Sequence, residues 1–361
     1  MENSALKPVL PGRLGNPNMA LRDDPRADPR MLAAMEPYGM AEIPPPIPVD
    51  ASSSLEELLA FCSEFEATFE EGNAEVMRDL PPLPGVKTET RVIQGIDGND
   101  ISLYVHRPEN AAGPLPGILH IHGGGMVVIG ADGPLYSRWR SELAVAGLVV
   151  VGVQFRNGAG RLGPHPFPAG LNDCSSALEW MASNQRELGI SGVGSSGESG
   201  GGNLTLATIL KAKNDGRLGQ VSGAYTQCPF ISNAYVERDP KLVSLFENDE
   251  YGLTCRMMGA RSRAYDPTGK NATNPLAWPL HASPAELQGL PPHFIVVYEL
   301  DPLRDEGLAY FKKLLDAGVT ANCRTINGIS HAGDMMFRKE IPDLYLSSIY
   351  DIKRFADSVT T

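Results

Sequence analysis

Gly197-Glu198-Ser199-Gly200-Gly201 stands two residues after the apolar run 190–194 and opens a helical stretch. A serine with glycine two positions away on either side suits a sharp strand-to-helix turn, which lifts one hydroxyl above the C-terminal edge of a sheet. The glycines are needed because the turn is tight, and a side chain there would collide with the neighbouring strand or helix. A turn of this kind demands a strand leading in and a helix leading out, which confines the chain to an α/β architecture. By itself the spacing is weak, since small residues cluster in many βα turns. Its weight comes from its company elsewhere in the chain.

The surrounding pattern agrees with that architecture. Residues 88–96, the turn Asp97-Gly98-Asn99-Asp100 and residues 101–107 read as a β-hairpin. Short apolar strands are then predicted at 117–122, 148–153, 190–193, 223–227, 293–299 and 322–326. Helices fall between them near 137–146, 171–187, 202–213, 304–316 and 342–357. This alternation implies a mostly parallel sheet covered by helices on both faces. Residues 1–50 read as an irregular leader with one short helix near 29–36. A serine-capped helix follows from Leu55, with Leu58, Leu59, Phe61, Cys62 and Phe65 at helical spacing. Its acidic outer face reads as solvated. Residues 1–86 thus form a leader with cap helices, and 87–361 a catalytic domain with a cap insert at about 231–275, too long for a simple connection.

With 361 residues, 42% of them hydrophobic, the chain can bury a large core. A net charge of −12 argues against nucleic acid or an acidic membrane surface as partner. Neutral or apolar small molecules fit that balance better. Cys62, Cys174, Cys228, Cys255 and Cys323 are scattered without C-x-x-C spacing, so they read as reduced thiols of a cytoplasmic protein. The first 50 residues carry no apolar signal region, and the longest apolar runs are too short for a membrane span. A homodimer is compatible with the sequence, which does not specify an oligomeric state.

Three further stretches carry chemistry. His120-Ile121-His122-Gly123-Gly124-Gly125 ends a predicted strand, and its glycines let backbone N–H groups point into the space above the sheet. Donors so placed stabilise the oxyanion of a tetrahedral intermediate, each by about 3–4 kcal/mol. The N–H of Gly200, just after the serine, would complete that hole. His122, Gly123 and Glu198 are read as supporting residues. Asp301 lies just past a strand end, held in a turn by Pro302, where it can accept a hydrogen bond from an imidazole; Glu299, Asp305 and Glu306 compete for that role. His331, after the last strand, is the general-base candidate, since imidazole titrates near neutral pH. His106, His165, His281 and His293 sit in a hairpin, a proline-rich loop or the approaches to regular elements. The chain order Ser199, Asp301, His331 is that of an α/β-hydrolase.

Two rival readings fail on the residues themselves. His120 and His122 share a strand face, as metal ligands could, but no third ligand accompanies them, so no metal is expected. Gly192-Val193-Gly194-Ser195-Ser196-Gly197 has the dinucleotide-binding spacing, yet the following strand ends in Gln227-Cys228-Pro229 rather than an acidic residue. No cofactor is expected.

Taken together, His122-Gly123-Gly124-Gly125, His165-Pro166-Phe167-Pro168-Ala169 with Asp173, Gly197 to Leu204, Leu290-Pro291-Pro292, Asp301 to Gly307 and His331 resemble the hormone-sensitive-lipase-like branch of the α/β-hydrolases, its bacterial carboxylesterases in particular. The resemblance implies a serine carboxylesterase with a Ser199-Asp301-His331 triad and oxyanion donors Gly124, Gly125 and Gly200. It also implies a small-molecule ester as substrate and a cap drawn from the leader and the insert. Three features depart from the family pattern: Gly200 replaces an alanine, the loop 156–164 is long and glycine-rich, and Ala-Gly-Asp follows His331. With the long leader, the loop changes resemble a bacterial member that opens a macrolactone. A non-catalytic receptor on this fold and an amide hydrolase are the alternatives; the presence of His331 argues against the first. Leu242, Leu245, Phe246, Met257 and Met258 are candidates for an apolar pocket or for plain core.

Overall fold

The computed structural model describes residues 10–360, so the first nine residues of the leader lie outside the described part. Eight strands form one sheet: β1 (Val86–Gln94), β2 (Asp100–Pro108), β3 (Leu115–Ile121), β4 (Val149–Val153), β5 (Ile190–Glu198), β6 (Gly223–Gln227), β7 (His293–Tyr298) and β8 (Ala321–Ile326). Their spatial order is β1-β2-β4-β3-β5-β6-β7-β8. The hairpin β1–β2 is antiparallel and joins β4 antiparallel, and every later pairing is parallel. The all-buried sequence Val-Val-Val-Gly-Val of β4 suits a strand covered on both faces, whereas β1, rich in Lys, Thr, Glu and Arg, is a mostly exposed edge.

The expected strands and helices are present with shifted ends. β5 extends to Glu198, because the chain stays extended up to the serine. The helix expected over 171–187 ends at Ser183 and resumes as a single turn, Gln185–Leu188. Its last turn is closed by Asn184, whose side chain donates to Trp180 O at 2.7 Å and competes with continued helix. The main helices are α1 (Pro29–Met35), α2 (Leu55–Met77), α3 (Pro134–Val145), α4 (Ala169–Ser183), α5 (Gly200–Asn214), α6 (Ser244–Glu247), α7 (Cys255–Tyr265), α8 (Arg304–Asp316) and α9 (Pro342–Val359). Ser54 caps α2 in a reciprocal box with Glu57. α5 is buried almost throughout, so its apolar residues run all round the helix rather than along one stripe.

One expectation is corrected. The acidic face of α2 is not uniformly solvated: Glu66 is only 3% exposed. Its carboxylate accepts the N–H of Ile129 at 2.5 Å and that of Arg161 at 2.6 Å. The helix is thus tied to the loops after β3 and β4, because two backbone donors without ladder partners need an acceptor. Leu242, Leu245, Met257 and Met258 belong to the main core, while Phe246 is exposed under the guanidinium of Arg238.

Candidate active site

The C-terminal ends of β3, β5, β7 and β8 converge on one edge of the sheet, where ligands of open α/β folds gather. Ser199 stands at the end of β5 with φ 53° and ψ −120°, a conformation that costs an L-residue about 1–3 kcal/mol. Three backbone hydrogen bonds hold it there: Ser199 N–H to Gln227 O, Asn203 N–H to Ser199 O and Phe230 N–H to Ser199 O, all between 2.9 and 3.1 Å. A Cβ on Gly201 would lie 1.9 Å from Ile121 O, and one on Gly197 would lie 2.4 Å from Gly201 O. The elbow therefore tolerates only glycine at these two places. Asn203 adds a brace, donating to Phe230 O at 2.8 Å and Ala277 O at 2.9 Å.

The glycine loop after β3 faces the elbow. Gly124 and Gly125 have φ of 95° and 68°, and a Cβ on Gly200 would lie 2.6 Å from Gly125 N. The three peptides are therefore close neighbours. Among the described residues the N–H groups of Gly124 and Gly125 have no acceptor, and that of Gly200, at the first position of α5, has none within its helix. The N–H of Gly123 is spoken for: Glu198 Oε1 accepts it at 2.6 Å, and Glu198 Oε2 lies 3.2 Å from His120 Nε2. His122 donates from Nδ1 to Gly123 O at 2.9 Å and stacks on Phe155 at 4.2 Å. Burial pushes the pKa of His122 down to about 3, which keeps the ring neutral. The two histidines thus serve the glycine loop and do not converge on a shared ligand position.

Asp301 is fully buried and its two oxygens have separate duties. Oδ1 accepts Leu303 N–H at 2.9 Å, and Oδ2 lies 2.8 Å from His331 Nδ1. The three competing carboxylates are occupied elsewhere. Glu299 accepts Gly328 N–H, Asp305 accepts Ser244 N–H, and Glu306 accepts Ile231 N–H and the Tyr235 hydroxyl. His331 Nε2 lies 3.9 Å from Cys228 Sγ. Among the described residues it makes no hydrogen bond to Ser199 Oγ, a bond that in empty active sites is often long. Cys228, Asp301 and His331 bring ligand-type atoms within 4.8 Å of one another. The nearest pair of those groups is already hydrogen-bonded, so the cluster reads as an acid–imidazole couple with a neighbouring thiol.

A family model described as the alpha/beta hydrolase fold matches residues 118–334, the span that carries every one of these residues. The chain belongs to this family. Among solved structures, this hydrolase resembles brefeldin A esterase, described as a bacterial homologue of human hormone-sensitive lipase. That match has a TM-score of 0.93 and 42% identity, covering 98% of this chain and 99% of that one. The esterase Est22 matches with a TM-score of 0.84 and 32% identity over 94% of this chain and 99% of its own. The carboxylesterase NlhH of Mycobacterium tuberculosis is 33% identical over 250 residues, 66% of this chain and 74% of its own length. These likenesses place the hydrolase in the hormone-sensitive-lipase-like branch.

The hydrolase also holds its site with residues that single motifs do not reveal. Asn248, after α6, donates to Glu299 O at 2.9 Å and Asp301 O at 3.1 Å, and Ser244 Oγ donates to Pro302 O at 2.7 Å. Glu247 beside it pairs with Arg304 at 2.9 Å and with Arg26 of the leader, which also binds Asp24 at 2.7 Å. Asp28 N–H donates to Gly328 O at 2.9 Å, and Met31 Sδ takes Ser330 N–H at 3.3 Å. Asp334, in the departing Ala-Gly-Asp run, accepts from Tyr298 and Ser348 at 2.5 Å each. The leader and the β6–β7 connection thus grip the loops of both Asp301 and His331. The leader helix that carries Met31 starts at Pro29, with Asp28 as its cap.

Proposed function

We propose that this chain is a serine carboxylesterase that works through an acyl-enzyme on Ser199. The observation that carries the reading is the 2.8 Å contact between His331 Nδ1 and Asp301 Oδ2, set beside a serine in a strained strand-to-helix turn. Ser199 Oγ attacks the ester carbonyl while His331 Nε2 takes its proton, and Asp301 stabilises the resulting imidazolium. The N–H groups of Gly124, Gly125 and Gly200 receive the oxyanion. Collapse of the intermediate breaks the acyl–oxygen bond, and the imidazolium gives its proton to the leaving alkoxide. Water, deprotonated by the same imidazole, then attacks the acyl-enzyme and releases the acid and free Ser199. His122, Gly123 and Glu198 act as positioning residues for the glycine loop.

Residues 1–86 and 231–275 serve as the cap over this site in the proposed assignment, and the small-molecule ester approaches beneath it. The likeness to an esterase named for brefeldin A supports including a macrolactone among the trial substrates. Among the described residues no helix is long and apolar enough to cross a membrane, and five free cysteines support a cytoplasmic setting. Ser199→Ala tests the reading: turnover of 4-nitrophenyl butyrate should vanish while the circular dichroism spectrum and melting temperature stay as in the parent. Turnover retained by that variant would overturn it.

A further inference from the structure

Arg261 is a strongly buried cation of the site region that the mechanism does not use. It projects from α7 and is 6% exposed. Among the described residues its guanidinium joins no ion pair and donates no hydrogen bond. The other buried or half-buried arginines nearby do have partners: Arg304 and Arg26 share Glu247, and Arg140 donates to Ala131 O at 2.7 Å. Arg140 also has two nitrogens, Nε and Nη1, sealed from solvent without a partner, whereas no nitrogen of Arg261 is sealed in this way. The Arg261 guanidinium nitrogens therefore keep a small accessible surface and no partner among the described residues.

Its position ties that surface to the oxyanion loop. A Cβ on Gly125 would lie 3.1 Å from Arg261 Cδ and 3.8 Å from Phe230 Cε1, so the arginine stem lies directly against the glycine peptide. Further out, Cζ sits 4.5 Å from the centroid of the Phe65 ring on α2. The charge is thus held between α2 and α7, above the loop that carries Gly124 and Gly125. Burial lowers the pKa of Arg261, and the neighbouring Cys62 thiol is the only group that opposes the shift. A guanidinium nevertheless stays protonated in a protein. Desolvating such a cation without an anion is expensive, and stacking on one aromatic ring recovers only part of that cost. Because folding has already desolvated the guanidinium, a ligand anion that reaches it gains a charge-assisted, two-pronged contact.

We propose that Arg261 binds a carboxylate carried by the substrate, and that the preferred esters are hemi-esters of short dicarboxylic acids. The charged end docks on the guanidinium while the ester carbonyl sits at Gly124, Gly125 and Gly200. This inference rests on the esterase reading above, and the following test separates the two.

Rates are compared for mono(4-nitrophenyl) glutarate and its neutral analogue 4-nitrophenyl pentanoate, each variant being judged by its own ratio of kcat/KM values. The parent enzyme should favour the hemi-ester by about 10- to 100-fold. Arg261→Met should bring the ratio to one or below, and Arg261→Lys should keep part of the preference. A turnover-free readout guards against a variant that folds poorly: glutarate should raise the melting temperature of Ser199→Ala but not of Ser199→Ala/Arg261→Met. Turnover of both esters with no preference in the parent, or a preference that survives in Arg261→Met, overturns the assignment of Arg261. Turnover of neither ester, with the glutarate-induced thermal shift intact, overturns the esterase reading and leaves the carboxylate site standing.

Discussion

Oδ2 of Asp301 meets Nδ1 of His331 at 2.8 Å while Oδ1 of the same carboxylate accepts the N–H of Leu303 at 2.9 Å. The backbone contact fixes the rotation of the carboxyl, so its other oxygen is aimed at the imidazole before any substrate arrives. Asp301→Asn keeps an oxygen for Leu303 but turns an NH2 toward Nδ1, which favours the wrong tautomer. The expected outcome is a fall in kcat of about 10⁴-fold with a nearly unchanged melting temperature. Steady-state kinetics beside a thermal melt decide it; a large loss of stability would mean that the carboxylate is chiefly structural.

The second prediction concerns the grip on that loop. Asn248 donates to the carbonyls of Glu299 and Asp301, which bracket the chain reversal after β7. Asn248→Ala removes both donors, and unfolding in urea should become easier by about 1–3 kcal/mol. Because the loop carries the acid of the couple, kcat should drop while KM changes little. An equal effect on both constants would point to general loosening instead.

Glu198 offers a third test. Its carboxylate accepts Gly123 N–H at 2.6 Å, which leaves Gly124 and Gly125 as the free donors of the loop. Glu198→Ala strips a buried N–H of its acceptor and should lower kcat together with stability, the latter by about 1.5–3 kcal/mol. Glu198→Gln can still accept that hydrogen bond through its amide oxygen and should restore most of the loss. If alanine and glutamine behave alike, the charge rather than the acceptor matters.

How much of this was legible in the sequence follows the range of the interactions involved. The elbow and the glycine loop are largely local devices: Gly197 is demanded by Gly201 O and Gly124 and Gly125 by positive φ, so their spacing shows in the chain itself, although Gly201 answers to Ile121 O on β3. Asp301 could be chosen over Glu299, Asp305 and Glu306 because its turn position is local too. Glu66 could not be read in this way. It looks like one more acid on a helix face, and its buried role depends on Ile129, 63 positions away. Arg26, 221 positions from Glu247, is equally mute in the sequence. Arg261 shows the same limit, since a helical arginine is normally solvated and only the approach of α2 and Gly125 encloses it.

The last prediction is the shape of stability against pH. Burial lowers His106 and His122 from 6.5 to about 3 and His293 to about 4, so all three are neutral in the folded chain. A depressed folded pKa gives stability that is present above the unfolded value and lost as pH falls below it. Burial does the opposite to Glu306, raising it from 4.5 to about 8, and its Oε2 has no partner among the described residues. Its contribution is full below 4.5 and is lost as pH rises through 8. For these four groups, between pH 4.5 and 6.5 the unfolded chain gains three protons on the histidines and lacks one on Glu306, a net uptake of about two. The unfolding free energy should fall by roughly 2.7 kcal/mol per pH unit on the acid side of pH 6. Above 6.5, of these four groups the glutamate alone acts, and stability should decline again toward pH 8. Urea titrations across pH 4.5 to 8.5 measure both limbs. His293→Gln should flatten the acid limb by about one proton, and Glu306→Gln should remove the alkaline decline while steepening the acid side. An alkaline limb that persists in Glu306→Gln would show that another buried group sets it.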